Sequence, residues 1–206
     1  MDFYAHNSVA VLAFPPDVGY PRLTLAVLAE LGDLLNEVRL CGLFRGVVIA
    51  SNPRSFATGA RIEEVASVEG VEARAFAQKG QLIFNQIASF PLSVVAAIRG
   101  YCLGGGMDLA LACQARVATY DASFGHLGAS LGLITGWGGT QRLARLIGRT
   151  AATQLLLTAE RVPATQALTL GLVDELVSSQ ELVEGAARRA RLSKTEIRKS
   201  RFENPQ

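Results

Sequence analysis

Apolar residues recur along this chain with two different periods, and the switching between them predicts its elements. Ser8–Phe14 and Gly46–Ser51 (GVVIAS) are short, nearly unbroken apolar runs, as expected of strands buried on both faces. Pro15 and Pro16 break the chain after the first run. Leu25, Leu28, Leu31, Leu35 and Val38 then follow helical spacing, which predicts an amphipathic helix after Thr24. Residues 72–89 read as a second helix with Phe76, Leu82, Ile83 and Ile87 on its core side. Ser93–Ile98 reads as the next strand, followed by a glycine turn, a helix over Asp108–Cys113 and a strand over Arg116–Tyr120. Helices are expected from Gln141, Ala151 and Pro163, the last with proline at its first turn, and a final strand over Leu172–Val177. Strands alternating with helices predict an α/β fold with parallel crossovers.

Two glycine-rich stretches interrupt this pattern. Gly104, Gly105 and Gly106 stand directly before an apolar helix. Glycine lets backbone N–H groups approach a ligand without a side chain in the way. The unpaired donors and positive dipole end of the following helix favour negative oxygen there. Such an arrangement suits a carbonyl whose oxygen gains charge during reaction, although a glycine cluster taken alone serves equally as a tight turn.

Composition narrows the possible functions. The 206 residues suffice for one domain with one core. Half of them are hydrophobic and 18% are charged, which excludes a disordered chain. A net charge of +2 gives no case for a nucleic-acid partner. The longest apolar run, from Pro91 to Ile98, is far short of the roughly 20 residues that span a bilayer. The first residues carry no signal-peptide pattern. Cys41, Cys102 and Cys113 have no metal-ligand spacing and read as buried reduced thiols of a cytoplasmic protein; no metal is expected. The glycines fit neither the dinucleotide pattern G-x-G-x-x-G nor a P-loop.

Four motifs occur in order: SFATGARI at 55–62, GYCLGGGMDLALACQARVAT at 100–119, the Phe124-Gly125 pair, and GWGGTQRLARLIG at 136–148. Together they resemble the enoyl-CoA hydratase/isomerase (crotonase) superfamily, over most of the chain from about Ser8 to Val177. The resemblance implies a superhelix of stacked ββα units with flanking helices. It also implies an acyl-CoA substrate, coenzyme A entering only as part of that substrate, and a homotrimer or dimer of trimers. It assigns the backbone N–H groups of Ala60 and Gly105 to the thioester oxygen. Ala57, Gly59, Gly104, Gly128, Gly136 and Trp137 are the further substrate-binding positions. Trp137 reads equally well as core packing.

This chain departs from the family pattern at the acid/base positions. The first catalytic glutamate of the hydratases is replaced by Asp108, and the second by Gly128. In SFATGARI the family's usual aspartate is Arg61. Members that isomerise dienoyl thioesters also carry aspartate at the first position. Naphthoate synthases similarly have glycine at the second, where some recruit bicarbonate, but the aspartate they carry before a glycine–tryptophan pair is Thr135 here. Asp108 is otherwise readable as a helix-end residue. If the 126–128 loop is extended, His126 points to the same side as residue 128 and fills the vacated space. Its ordinary pKa suits proton transfer, although a histidine satisfied by backbone groups is the common case.

The segment from Arg188 to Arg201 is basic, either a solvated helix face or a contact for CoA phosphates. Residues 1–180 are accordingly expected to form the core domain and 181–206 a short basic helical tail, truncated relative to the family. The expected function is acyl-CoA processing through an enolate held by paired N–H groups, by hydration or double-bond isomerisation, with Asp108 as acid/base and His126 as a second candidate. The alternatives are a non-catalytic acyl-CoA-binding protein and a decarboxylase or C–C lyase of the same fold.

Overall fold

A computed structural model describes residues 1–203 of the chain, without the side chains of 201–203. In chain order the strands are β1 Asp2–His6, β2 Val9–Ala13, β3 Gly46–Ala50, β4 Ser55–Ala57, β5 Ser93–Ile98, β6 Tyr101–Leu103, β7 Ala115–Thr119, β8 Ser123–Gly125, β9 Val162–Pro163 and β10 Glu175–Val177. The helices are α1 Leu25–Cys41, α2 Ile62–Ala66, α3 Gly70–Ser89, α4 Gly105–Ala112, α5 Gly139–Ile147, α6 Arg149–Thr158, α7 Ala164–Thr169, α8 Leu182–Ala190 and α9 Lys194–Glu203. Single 3-10 turns occupy Pro16–Val18 and Leu127–Leu131.

The strands form two sheets, ordered β1-β2-β3-β5-β7-β10 and β4-β6-β8-β9. Apart from the antiparallel β1–β2 and β8–β9 pairs, all pairings are parallel. The pairs β3–β4, β5–β6 and β7–β8 each pass from the first sheet to the second, and helices then return the chain. Gly46 lies beside Ser93 in one sheet while Ser55 lies beside Tyr101 in the other, so successive ββα turns stack into a spiral. This is the superhelix that the motifs imply.

Alternate residues of the first sheet point to opposite sides, and both sides are buried. Leu12, Ile49, Ala96 and Ile98 share a core with α1, α3 and α4. Val11, Val48, Val95 and Val117 pack against Leu182, Ala186, Ala187 and Ala190 of α8. The fit is close at Gly46, where a Cβ would come within 3.0 Å of the Ala190 carbonyl. The boundary expected at residue 180 thus falls just before a helix that covers the sheet. Of the basic residues there, Arg188 and Arg189 pair with Glu175, and Arg191 pairs with Glu184. The side chain of Arg201 and residues 204–206 lie outside the described residues.

Most expected elements are present within one or two residues. The Thr24 hydroxyl caps α1 by accepting from the Val27 N–H at 3.2 Å, and Gly42 closes the helix in the left-handed region. The face of α3 differs from expectation. Phe84 and Ile87 are buried with Gly80, whereas Leu82 is 68% exposed, because 80, 84 and 87 share a stripe that 82 does not. Strand β1 has four exposed residues of five, so no apolar run announces it.

Arg116 ties α4 to the spiral. Its buried guanidinium donates to the carbonyls of Ala110 and Cys113 at the C-terminal end of that helix and pairs with Asp174 at 2.9 Å. The donors suit the carbonyls and the negative dipole end of α4.

Candidate active site

Strand β6 delivers the chain into the glycine turn, and the turn aims α4 at a cavity. Gly104 has φ +52°, its N–H donates to the Gly125 carbonyl at 2.8 Å, and its own carbonyl accepts from the Asp108 N–H at 3.1 Å. Gly105 opens the helix, so its N–H has no partner within α4. Gly59, at φ +93°, brings the neighbouring segment alongside: a Cβ on it would lie 3.2 Å from the Gly105 nitrogen. A Cβ on Gly105 would likewise stand 3.6 Å from the Ala60 nitrogen. The two expected N–H groups are therefore neighbours, and both residues line the cavity. Ala57 does not. It is fully buried in β4, and its carbonyl packs under Gly106, where a Cβ would come within 3.0 Å of it.

The cavity has a volume of about 800 Å³. Its walls are largely apolar and include Val65, Phe76, Ala77, Leu131, Leu133 and Ile134. Trp137 is buried and lines the cavity too, so it packs the core and forms the wall at once. Its ring lies 5.4 Å from that of Phe76 and 5.7 Å from that of Phe84. Gly80 and Gly105 both approach the indole so closely that a Cβ on either would come within 3.0 Å of it.

Asp108 is fully buried in the first turn of α4. Desolvation raises its pKa from 3.8 to about 7, against the opposing pull of the Thr135 hydroxyl, the Arg142 guanidinium and the Trp137 backbone. The Thr135 Oγ1 donates to Oδ2. Oδ1 lies 3.3 Å from Nε2 of His126, yet neither atom has a hydrogen-bond partner. The same burial lowers the His126 pKa from 6.5 to about 4. Near neutrality the histidine is thus uncharged, and the carboxyl is poised between its acid and base forms.

The 126–128 loop is not extended. After β8 the chain enters the Leu127–Leu131 turn, closed by the Leu133 N–H donating to the Gly128 carbonyl at 2.9 Å. His126 reaches Asp108 from the position between β8 and the turn, not by alternation with residue 128. Gly128 lines the cavity, but no open space lies beside it: a Cβ would meet the Leu133 carbonyl at 3.0 Å. Gly136 lines the cavity opposite Ala77 of α3, and Gln81 of that helix donates to its carbonyl at 2.7 Å.

Two contributors lie outside the expected set. Thr135 stands out in the sequence only as the residue before Gly136-Trp137, with nothing to indicate its bond to Asp108. Gly139 begins α5 against the carboxyl, where a Cβ would come within 3.0 Å of Asp108 Oδ1. Its presence in GWGG was the available signal. Among the described residues no cluster of three metal-binding side chains occurs, and no helix is long and apolar enough to cross a membrane.

The family model for enoyl-CoA hydratase/isomerase matches residues 6–201. A fatty acid oxidation complex subunit alpha from Shewanella halifaxensis is 40% identical over 174 residues, which is 82% of this chain. The chain spans only a quarter of that relative's length (25%). Among solved structures, an enoyl-CoA hydratase from Bacillus anthracis superposes with a TM-score of 0.85 at 32% identity, over 96% of this chain and 76% of that one. One from Thermoplasma volcanium gives 0.88 at 28% identity, over 98% and 82%.

Proposed function

This chain belongs to the enoyl-CoA hydratase/isomerase family, and from that premise we propose that it moves a double bond within an acyl-CoA thioester by proton transfer through one carboxyl group. The observation that carries this reading is Asp108: a single buried carboxyl, with its pKa raised to about 7, beside the neighbouring N–H groups of Ala60 and Gly105.

The thioester oxygen takes both N–H bonds, and the acyl chain lies along the apolar walls. When a proton leaves the carbon next to the thioester, negative charge moves onto that oxygen. The paired donors therefore act on the transition state more than on the ground state. Asp108 accepts the proton as carboxylate and returns it as acid, and a pKa near the working pH suits both halves. Uncharged His126 faces Oδ1 and leaves the proton on the carboxyl. Hydration would also need a second acid/base group to activate water, and Gly128 supplies none. The reaction requires no cofactor beyond the coenzyme A of the substrate.

Assembly as a homotrimer belongs to the same proposal. Leu131 and Ile134, 57% and 70% exposed at the cavity rim, support a covering neighbour. Three cysteines without disulfide partners support a reducing cytoplasm. The test is a panel of 2-enoyl-, 3-enoyl-, dienoyl- and malonyl-type CoA thioesters, with binding by calorimetry beside turnover. Conversion of a 3-enoyl thioester faster than hydration of a 2-enoyl one is the expected result. Binding without turnover would identify an acyl-CoA-binding protein, and loss of carboxylate from the malonyl thioester a decarboxylase.

A further inference from the structure

Asp108 borders the cavity yet is fully buried, so the groups packed around its carboxyl decide how a proton reaches it. Gly139 lies against Oδ1, and His126 faces that oxygen without bonding to it. The Thr135 hydroxyl covers Oδ2. Thr135 is half-buried and lines the cavity, so the residue whose hydroxyl bonds the carboxyl also borders the substrate space. A hydroxyl can accept and donate at once, which neither a carboxylate nor a guanidinium can do.

The other titratable groups around Asp108 are engaged elsewhere. Arg142, reaching in from α5, donates to the Trp137 carbonyl at 2.9 Å and to Asn85 Oδ1 at 2.7 Å. Cys102 of β6 donates to the Gly106 carbonyl, and Cys113, just after α4, to the Leu109 carbonyl; burial raises both thiols, Cys113 to about 12. His126 also lines the cavity and is the competing carrier.

We propose that Thr135 is a catalytic residue whose hydroxyl relays the proton between Asp108 and the acyl chain. This rests on the acyl-CoA reading above. As the α C–H bond breaks, its electron pair enters the thioester and forms the enolate oxygen held at Ala60 and Gly105. The departing proton joins Oγ1 of Thr135 while the hydroxyl's own proton passes to Oδ2 of Asp108. In return, the Asp108 proton moves to Oγ1, and the hydroxyl proton forms a C–H bond at the γ carbon. The double bond has moved, and every group of the enzyme is restored.

Exchange of the α proton of a saturated acyl-CoA in D2O, read by mass spectrometry, reports this transfer without turnover. It is measured beside 3-enoyl-CoA isomerisation and calorimetric affinity. Thr135→Val should lower exchange and kcat at least ~10²-fold at every pH, the scale of one positioned acid/base group, with affinity little changed. Thr135→Ser should restore most of the rate, and Thr135→Ala takes the place of valine if that variant does not fold. Three results would overturn the relay: unimpaired exchange by Thr135→Val, which would leave direct transfer to Asp108 or His126 as the route; a valine variant that regains the full rate at higher pH, where the hydroxyl only tunes Asp108; or serine as impaired as valine. A wild-type chain that binds acyl-CoA without exchanging, or undiminished exchange by Asp108→Asn, overturns the acid/base reading itself and the relay with it.

Discussion

Nε2 of His126 and Oδ1 of Asp108 stand 3.3 Å apart, and one cause displaces their proton affinities in opposite directions. Burial disfavours charge, so it raises the carboxyl to about 7 and lowers the imidazole to about 4. Between those values both groups are neutral, and neither needs the other as a counter-ion.

This opposition predicts an unusual dependence of stability on pH. The stability contributed by Asp108 is fully present below its unfolded pKa of 3.8 and is lost as pH rises through about 7. That contributed by His126 is present above 6.5 and is lost as pH falls through about 4. Over the shared window the two slopes cancel. Asp108→Asn should expose the histidine slope, making stability fall on acidification below 6.5 by up to about 3 kcal/mol. His126→Gln should expose the opposite slope, with stability falling as pH rises towards 7. Urea unfolding at a series of pH values measures both, and parallel curves for wild type and Asp108→Asn would refute the pairing.

Asp108→Asn keeps the size of the side chain and removes its titratable proton. Turnover of the best thioester should fall at least ~10²-fold while acyl-CoA affinity changes little. Steady-state kinetics beside calorimetry separate the two. Turnover equal to wild type would remove Asp108 from the chemistry.

Gly139→Ala tests the packing behind the carboxyl. The new Cβ would come within 3.0 Å of Oδ1, so Asp108 or the start of α5 must move. Misplacing a reacting group by about 1 Å can cost 10²-fold, and a loss in kcat larger than the rise in KM is expected. An alanine variant with unchanged kcat would show that the carboxyl has room to adjust.

Gly128→Glu asks whether a second carboxylate restores hydratase chemistry. The Leu133 carbonyl stands 3.0 Å from where the Cβ must go, so the 128–133 turn has to open first. The expected outcome is a folded, somewhat less stable protein without a gain in hydration. A clear gain in 2-enoyl-CoA hydration would mean that the turn yields easily and that the register alone was missing its carboxylate.

The architecture was legible wherever burial is symmetrical. β3 and β5 are apolar along their whole length because both sheet faces are covered, and Leu28, Leu31, Leu35 and Val38 mark one stripe of α1. The short strands of the second sheet were not, since β4, β6 and β8 have three residues each and no room for a period. At the site, the resemblance carried by the motifs pointed to the Ala60–Gly105 wall, but a bond between Thr135 and Asp108, 27 residues apart, leaves no trace in either residue's neighbours. The condition of an extended 126–128 loop is not met for a local reason: the chain turns over Leu127–Leu131, and Gly132 closes that turn in the left-handed region.

The indole of Trp137, lodged between Gly80 of α3 and Gly105 of the turn, couples that helix to the turn. Widening the acyl end from α3, at Phe76 or Ala77, disturbs the helix that presses on the same ring as the carbonyl-holding N–H. Leu131, Leu133 and Ile134 line the same cavity from outside α3 and are exposed. On the proposed acyl-CoA reading, chain-length preference can therefore drift or be engineered there without disturbing the donors, whereas selection acting on α3 changes substrate fit and carbonyl geometry together.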